Sequence, residues 1–208
     1  MPTVQRRIFN DVVTGFWSLA APLYNLPVLQ SWVYRPAQTE VIAVLREQGS
    51  RRIADIACGT GIMADRIQRE LHPDEVYGVD MAEGMLAQAR ARSAAVQWLT
   101  GPAEALPFDD GVLDAVVTTS AFHFFDQPAA LADFHRVLRP GGVVAVTTFA
   151  PEGGLSRLTS ASPAHAPSPE EMRELFSGAG LTVIEQHRVH RPAWIQPVAD
   201  MLTVGRKS

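Results

Sequence analysis

The stretch from Ile53 to Ile67, Ile-Ala-Asp-Ile-Ala-Cys-Gly-Thr-Gly-Ile-Met-Ala-Asp-Arg-Ile, constrains the fold more than any other part of the chain. A short apolar strand carries an acid, Asp55, near its end. A tight turn of small residues follows (Ala57, Cys58, Gly59, Thr60, Gly61), and a helix starts at Ile62. The glycines carry no Cβ and tolerate positive φ, so a ligand can approach the backbone there. This is a nucleotide-type loop with a carboxylate at its mouth.

The carboxylate bears on what the loop binds. Gly59-Thr60-Gly61-Ile62-Met63-Ala64 also satisfies the dinucleotide pattern G-x-G-x-x-G/A. A pyrophosphate is anionic and seeks the N–H groups of a helix N-terminus; Asp55 would repel it. S-adenosylmethionine carries an ammonium and a sulfonium and no phosphate, so an acid suits it. Asp80 lies 19 residues beyond Gly61 and ends the next strand, Val76-Tyr77-Gly78-Val79. An acid there can accept hydrogen bonds from both ribose hydroxyls. On these residues alone three readings stand: a methyl-donor site, a nicotinamide or flavin site, and a structural turn with a helix-capping acid.

From residue 50 onward strands and helices alternate, which implies a largely parallel sheet. The strands read Arg52–Ala57, Val76–Asp80, Val96–Thr100, Leu113–Thr119 and Val143–Phe149, mostly as the continuous apolar runs of strands covered on both faces. The helices between them read Ile62–Leu71, Ala82–Ala91 and Ala129–Leu138. Residues 151–168 are rich in Pro, Ser, Ala and Gly and read as a loop. Ser168-Pro169-Glu170-Glu171 then starts a helix, with Ser as cap, Pro in the first turn and two acids after it. Leu181–Arg188 and Trp194–Arg206 read as two more strands whose short join favours an antiparallel pair. The whole is expected to form a single domain over 1–208. It comprises an N-terminal helical lid (1–48), a cofactor-binding core (50–150) and a C-terminal helix and hairpin (168–208).

The lid expectation rests on the aromatics Phe9, Phe16, Trp17, Tyr24, Trp32 and Tyr34, which either pack on the sheet edge or close over a ligand and exclude water. Arg6-Arg7 and the apolar run from Val12 to Leu26 faintly resemble a targeting signal, but Asn10 and Asp11 break the transition. Pro22, Asn25, Pro27 and Gln30 also spoil a membrane span. With a single cysteine, Cys58, no internal disulfide forms, and a cytoplasmic location is expected. A net charge of −4 argues against nucleic acid as partner.

Four landmarks in order make the chain resemble the class I S-adenosylmethionine-dependent methyltransferases, of the small-molecule type that includes ubiquinone and menaquinone biosynthesis enzymes. They are Asp55-Ile-Ala-Cys-Gly-Thr-Gly61, Gly78-Val-Asp80-Met81, Gly101-Pro-Ala-Glu104-Ala-Leu-Pro-Phe108 and Arg136-Val-Leu-Arg-Pro-Gly-Gly142. The resemblance implies an α/β Rossmann-like, seven-stranded, mostly parallel sheet in the order 3-2-1-4-5-7-6, strand seven antiparallel, with helices on both faces. It also implies a cofactor, S-adenosyl-L-methionine, with S-adenosyl-L-homocysteine as product. The cofactor-binding residues it implies are Asp55, Ala57, Gly59, Thr60, Gly61, Asp80, Met81, Ala103, Glu104 and Ser120. Met81 would pack on adenine. Pro102 stands where many members have an acid that accepts from the adenine amino group; proline offers neither an acceptor side chain nor an N–H. Adenine would then rely on the backbone at Ala103 and Glu104, on Met81, or on the Glu104 side chain.

The acceptor is expected to be small and apolar or aromatic. Methyl transfer from a sulfonium is an in-line displacement, so the protein chiefly aligns and desolvates. The loop after the fourth strand, Thr119-Ser120-Ala121-Phe122-His123-Phe124-Phe125, falls where open α/β sheets place their sites. His123, with an ordinary pKa of about 6.5, is either a proton acceptor or a non-catalytic pocket residue. Phe16, Tyr24, Phe122 and Phe124 are candidates to line the acceptor site. No histidine pair has metal-ligand spacing along the chain, and no metal is expected. Two other functions stay open: a catalytically silent cofactor-binding regulator or partner subunit, and an NAD(P)-dependent oxidoreductase. A second copy completing an open site would make the protein a homodimer.

Overall fold

Alternation within one strand decides how the core is divided. In β4 (Leu113–Thr119) Ala115 and Val117 face one side of the sheet and Val116 the other, and all three are fully buried. The computed structural model describes residues 34–149, 165–191 and 200–208. In them β4 lies next to β1 (Arg52–Ile56), with β2 (Glu75–Asp80) and β3 (Gln97–Thr100) beyond it. On the other side lie β5 (Leu138–Phe149), β7 (Asp200–Lys207) and the edge strand β6 (Leu181–Arg188). The order is β3-β2-β1-β4-β5-β7-β6, with β7 antiparallel to both neighbours, as the resemblance implied.

One face is covered by α1 (Arg35–Glu47) and α2 (Ile62–Leu71), which pack Val41, Ile42, Leu45 and Ile67 against Ile53, Val117, Ala145 and Val204. Further along the sheet α3 (Glu83–Arg92) packs on β2 and β3. The opposite face carries α4 (Gln127–Val137) and α5 (Pro169–Gly178), whose Leu131, Phe134, Met172 and Phe176 meet Ile56, Val116, Val144 and Val146. Each such side chain stabilises the fold by about 1.5–3 kcal/mol relative to exposure. The start of α5 is closed as its sequence predicts: Ser168 Oγ accepts from Glu171 N–H, and the Glu171 carboxylate accepts from Ser168 N–H.

Two expectations change. Residues 35–47, assigned above to a lid, form a helix that buries Ala37, Val41, Ile42, Val44 and Leu45 on the sheet. The aromatics Phe16 and Tyr24 lie outside the described residues. The fifth strand begins at Leu138, because α4 runs into it without a loop. Leu138 pairs with Leu113, the register then slips, and Val143 pairs with Ala115. Among the described residues no helix is long and apolar enough to cross a membrane.

Candidate cofactor site

The parallel strands carry their carboxyl ends to one edge, where ligands of such sheets bind. Asp55 sits there in β1, level with Gly78 on one side and Val117 on the other. Its side chain is fully buried and accepts from the backbone of Ala64, yet Oδ2 has no hydrogen-bond partner. Burial, with the Asp80 charge adding to it, pushes its pKa up to about 8. A buried carboxyl with an unmatched oxygen is costly unless a ligand completes it.

The turn after β1 reverses direction through left-handed residues: Ala57 at φ 54°, Gly59 at 54° and Gly61 at 78°. It is held by Cys58 N–H donating to Val79 O at 3.1 Å and Gly61 N–H donating to Cys58 O at 3.0 Å. The two turn glycines do different work. A Cβ on Gly59 would meet only Met85 Sδ at 4.0 Å, so space stays open there for a ligand. A Cβ on Gly61 would collide with the Trp98 ring and come within 2.9 Å of Ala89 Cβ. Gly78 faces the same indole. Trp98, fixed by Nε1–H donating to Ser93 O at 2.9 Å, thus fills the volume that both glycines leave. Thr60 is buried, and Arg92 Nε–H donates to its carbonyl at 2.7 Å.

Asp80 ends β2 and closes the cradle. Its Oδ2 accepts from Gly59 N–H and its Oδ1 from Ala82 N–H, each at 2.8 Å. Burial raises its pKa, and the N–H groups of Ala82, Gly59 and Met81 offset part of that. Each oxygen keeps a lone pair for a ligand hydroxyl. Next to it Met81 is 43 % exposed, one of two large apolar side chains left so open among the described residues. Cys58 is buried, and burial together with Asp55 and Asp80 drives its thiol pKa well up, so it is no nucleophile.

The loop that follows β3 is anchored from α4. Ala103 is buried. Glu104 turns toward the loop after β4, where its Oε1 accepts from Asp126 N–H at 2.8 Å. Arg136 donates to Phe108 O and Asp110 at 2.8 Å, to Leu106 O at 3.1 Å and to Asp133 at 2.7 Å. Asp133 in turn accepts from Leu106 N–H at 2.6 Å. The Asp133–Arg136 clamp was missed in the sequence. Arg136 stood in a recognisable motif, but nothing along the chain pairs it with residues 106–110.

After β4 the chain turns at Ser120, a non-glycine residue at φ 58° whose N–H donates to Thr147 O at 3.0 Å. Such a conformation costs of order 1–3 kcal/mol and tends to occur at functional sites. A single 3₁₀ turn, Phe122–Phe124, follows. It sends Phe122 inward, fully buried and edge-on to Phe125 at 5.9 Å between centroids. Phe122 is therefore a core residue, not the pocket-lining one expected. His123 and Phe124 stay half-buried, with ring centroids 4.1 Å apart. His123 Nδ1 is buried and has no partner. Burial lowers its pKa from the ordinary value to about 4. The imidazole is thus neutral at pH 7, with a free nitrogen and weaker basicity than its residue type suggests.

Spacing along the chain gave no metal-ligand pair. The fold nevertheless brings His187 and His190 together with Glu40, all three ligating atoms lying within 4.8 Å of one another.

The chain is similar to proteins already known. The methyltransferase-domain family matches residues 53–142. A demethylmenaquinone methyltransferase of Thermus thermophilus is 43 % identical over 110 residues, which is 50 % of this chain and 50 % of that protein. A malonyl-[acyl-carrier protein] O-methyltransferase of Serratia marcescens is 40 % identical over 162 residues, 77 % of this chain and 61 % of the relative. The chain thus spans about half to two thirds of the length of these relatives. A solved chain in the complex between the Haloferax volcanii Trm112 methyltransferase activator and a putative methyltransferase superposes with a TM-score of 0.75. It does so at 21 % identity, over 91 % of this chain and 96 % of that one, and shares the fold.

Proposed function

The chain belongs to the class I S-adenosylmethionine-dependent methyltransferases, and we propose that it transfers the cofactor's methyl group to a small apolar or aromatic acceptor. The observation that carries this reading is the buried, unmatched Oδ2 of Asp55 beside the open space at Gly59. A cationic amino-acid moiety fits that pair of features, and a pyrophosphate does not. The methionine part would lie along Ala57, Gly59 and Thr60, the ribose on Asp80, and adenine between Met81 and Ala103. Gly61 serves by making room for Trp98. Glu104 serves by holding the loop to Asp126, which leaves adenine to backbone groups and Met81. Cysteine usage favours a cytoplasmic setting.

The cofactor supplies an already activated methyl on a sulfonium. The protein's share is to align the acceptor in line with it and to keep water out. An acceptor that must lose a proton needs somewhere to put it. His123 Nδ1, buried, unpartnered and unprotonated at neutral pH, is the group proposed to receive it, as a base weakened by its burial. By their names the two relatives methylate demethylmenaquinone and malonyl-[acyl-carrier protein]; the aromatic turn around Phe124 favours an aromatic acceptor here. The test is label transfer from methyl-labelled cofactor to a naphthoquinol and to a malonyl thioester, with wild type and His123→Ala. Transfer to the quinol, with the variant slowed at least about tenfold at unchanged cofactor affinity, is expected. No transfer to either acceptor at saturating cofactor would point to a silent binder, and an unslowed variant would remove His123 from the chemistry.

A further inference from the structure

We propose that Glu40, His187 and His190 form a binding site for one divalent transition-metal ion, with zinc the best match, at the carboxyl end of the edge strand β6, four strands across the sheet from the cofactor loop after β1. Glu40 projects from α1, His187 lies one residue before the end of β6, and His190 follows two residues beyond that strand. His187 Nε2 lies 3.1 Å from Glu40 Oε2, and His190 Nδ1 lies 2.9 Å from Glu40 Oε1. The two rings are 5.5 Å apart at their centroids and tilted by 46°. Ligands around a tetrahedral zinc, each about 2.0–2.1 Å from it, stand about 3.4 Å from one another. The Glu–His pairs are already near that spacing, and small side-chain adjustments admit an ion between them.

Two further features separate this cluster from a chance meeting of polar groups. His187 directs Nε2 at Glu40 and Nδ1 at Glu185 Oε1, 3.2 Å away. A ligating histidine whose other nitrogen is held by a carboxylate is the usual supporting arrangement of a metal site, because it fixes the ring and raises its donor strength. Glu40 is held too: His190 N–H donates to its Oε1 at 2.7 Å. Two imidazoles and one carboxylate suit zinc and its transition-metal neighbours, whereas calcium and magnesium demand oxygen-rich shells. Three protein ligands leave a fourth position open for water or a ligand. The ion would join groups 147 and 150 residues apart in sequence, tying α1 to the end of β6.

The full chain, stripped with a chelator and dialysed, is titrated with zinc by calorimetry, and its cobalt form is examined by visible absorption. One equivalent should bind, the melting midpoint should rise with free zinc, and cobalt should show ligand-field bands. His190 is exposed and outside the strand. His190→Ala should therefore keep the metal-free melting midpoint while weakening zinc at least tenfold and erasing the cobalt bands. Glu40→Gln and His187→Ala should do likewise. Absence of stoichiometric binding, or binding that His190→Ala leaves unchanged, overturns the proposal.

Discussion

Asp55 is buried with a second acid nearby, and its pKa of about 8 sets the sign of two effects. Its folded value lies above the ordinary carboxylate value of about 3.9. Its contribution to stability is therefore complete below about pH 4 and is lost as pH rises through about 8. An ammonium placed against it favours the carboxylate, so cofactor binding at neutral pH must expel a proton. At pH 7, calorimetry of S-adenosylhomocysteine binding in buffers of different ionisation enthalpy should show release of about one proton per ligand. Asp55→Asn should release none, bind at least about tenfold more weakly, and flatten the loss of stability between about pH 4 and pH 8. That Asp55 is an acid at a strand end was legible in the sequence. That it holds its proton was not, because burial and the distance to Asp80 are properties of the packed sheet. The same limit explains His123, whose ordinary pKa was the only one a sequence can supply, and Phe122, which pattern alone could not divide between core and pocket.

Between elements, Trp98 on β3, Gly61 of the first βα turn and Gly78 within β2 form one unit. Gly61→Ala places a methyl against both the indole and Ala89, at a φ of 78° that resists any side chain. A loss of about 2–4 kcal/mol in urea unfolding is expected. Trp98→Leu should recover part of it in the double variant, so the two changes should be far from additive. Gly59→Ala meets open space and should cost about 1–2 kcal/mol of backbone strain, while the cofactor is the partner it excludes. The sequence motif marked both glycines alike, since a pattern records which residues are small and not what fills the space beside them. The sequence likewise led us to expect helix before residue 48, but not which surface residues 35–47 would find. The Asp133–Arg136 clamp on residues 106–110 and the Glu40–His187–His190 cluster escaped for the same reason: each joins segments distant in sequence. By contrast the Ser168 cap is local, and its sequence predicted its geometry.

For the molecule as a whole, strand order is the level at which sequence spoke most clearly. Alternating apolar runs announced a parallel sheet. The resemblance supplied the order 3-2-1-4-5-7-6, and the hydrogen-bond ladder has that order with β7 reversed. That order sets Asp55, Asp80 and Ser120 at carboxyl ends of neighbouring strands, on a scaffold whose two faces are sealed by separate apolar clusters. We propose that this edge takes a cationic methyl donor and not a dinucleotide, which parallel calorimetric titrations of the full chain with S-adenosylhomocysteine and NADH test. Saturable binding of S-adenosylhomocysteine at one per chain, lost in Asp55→Asn, with no heat from NADH, is the predicted result. Binding of NADH with none of S-adenosylhomocysteine would contradict it.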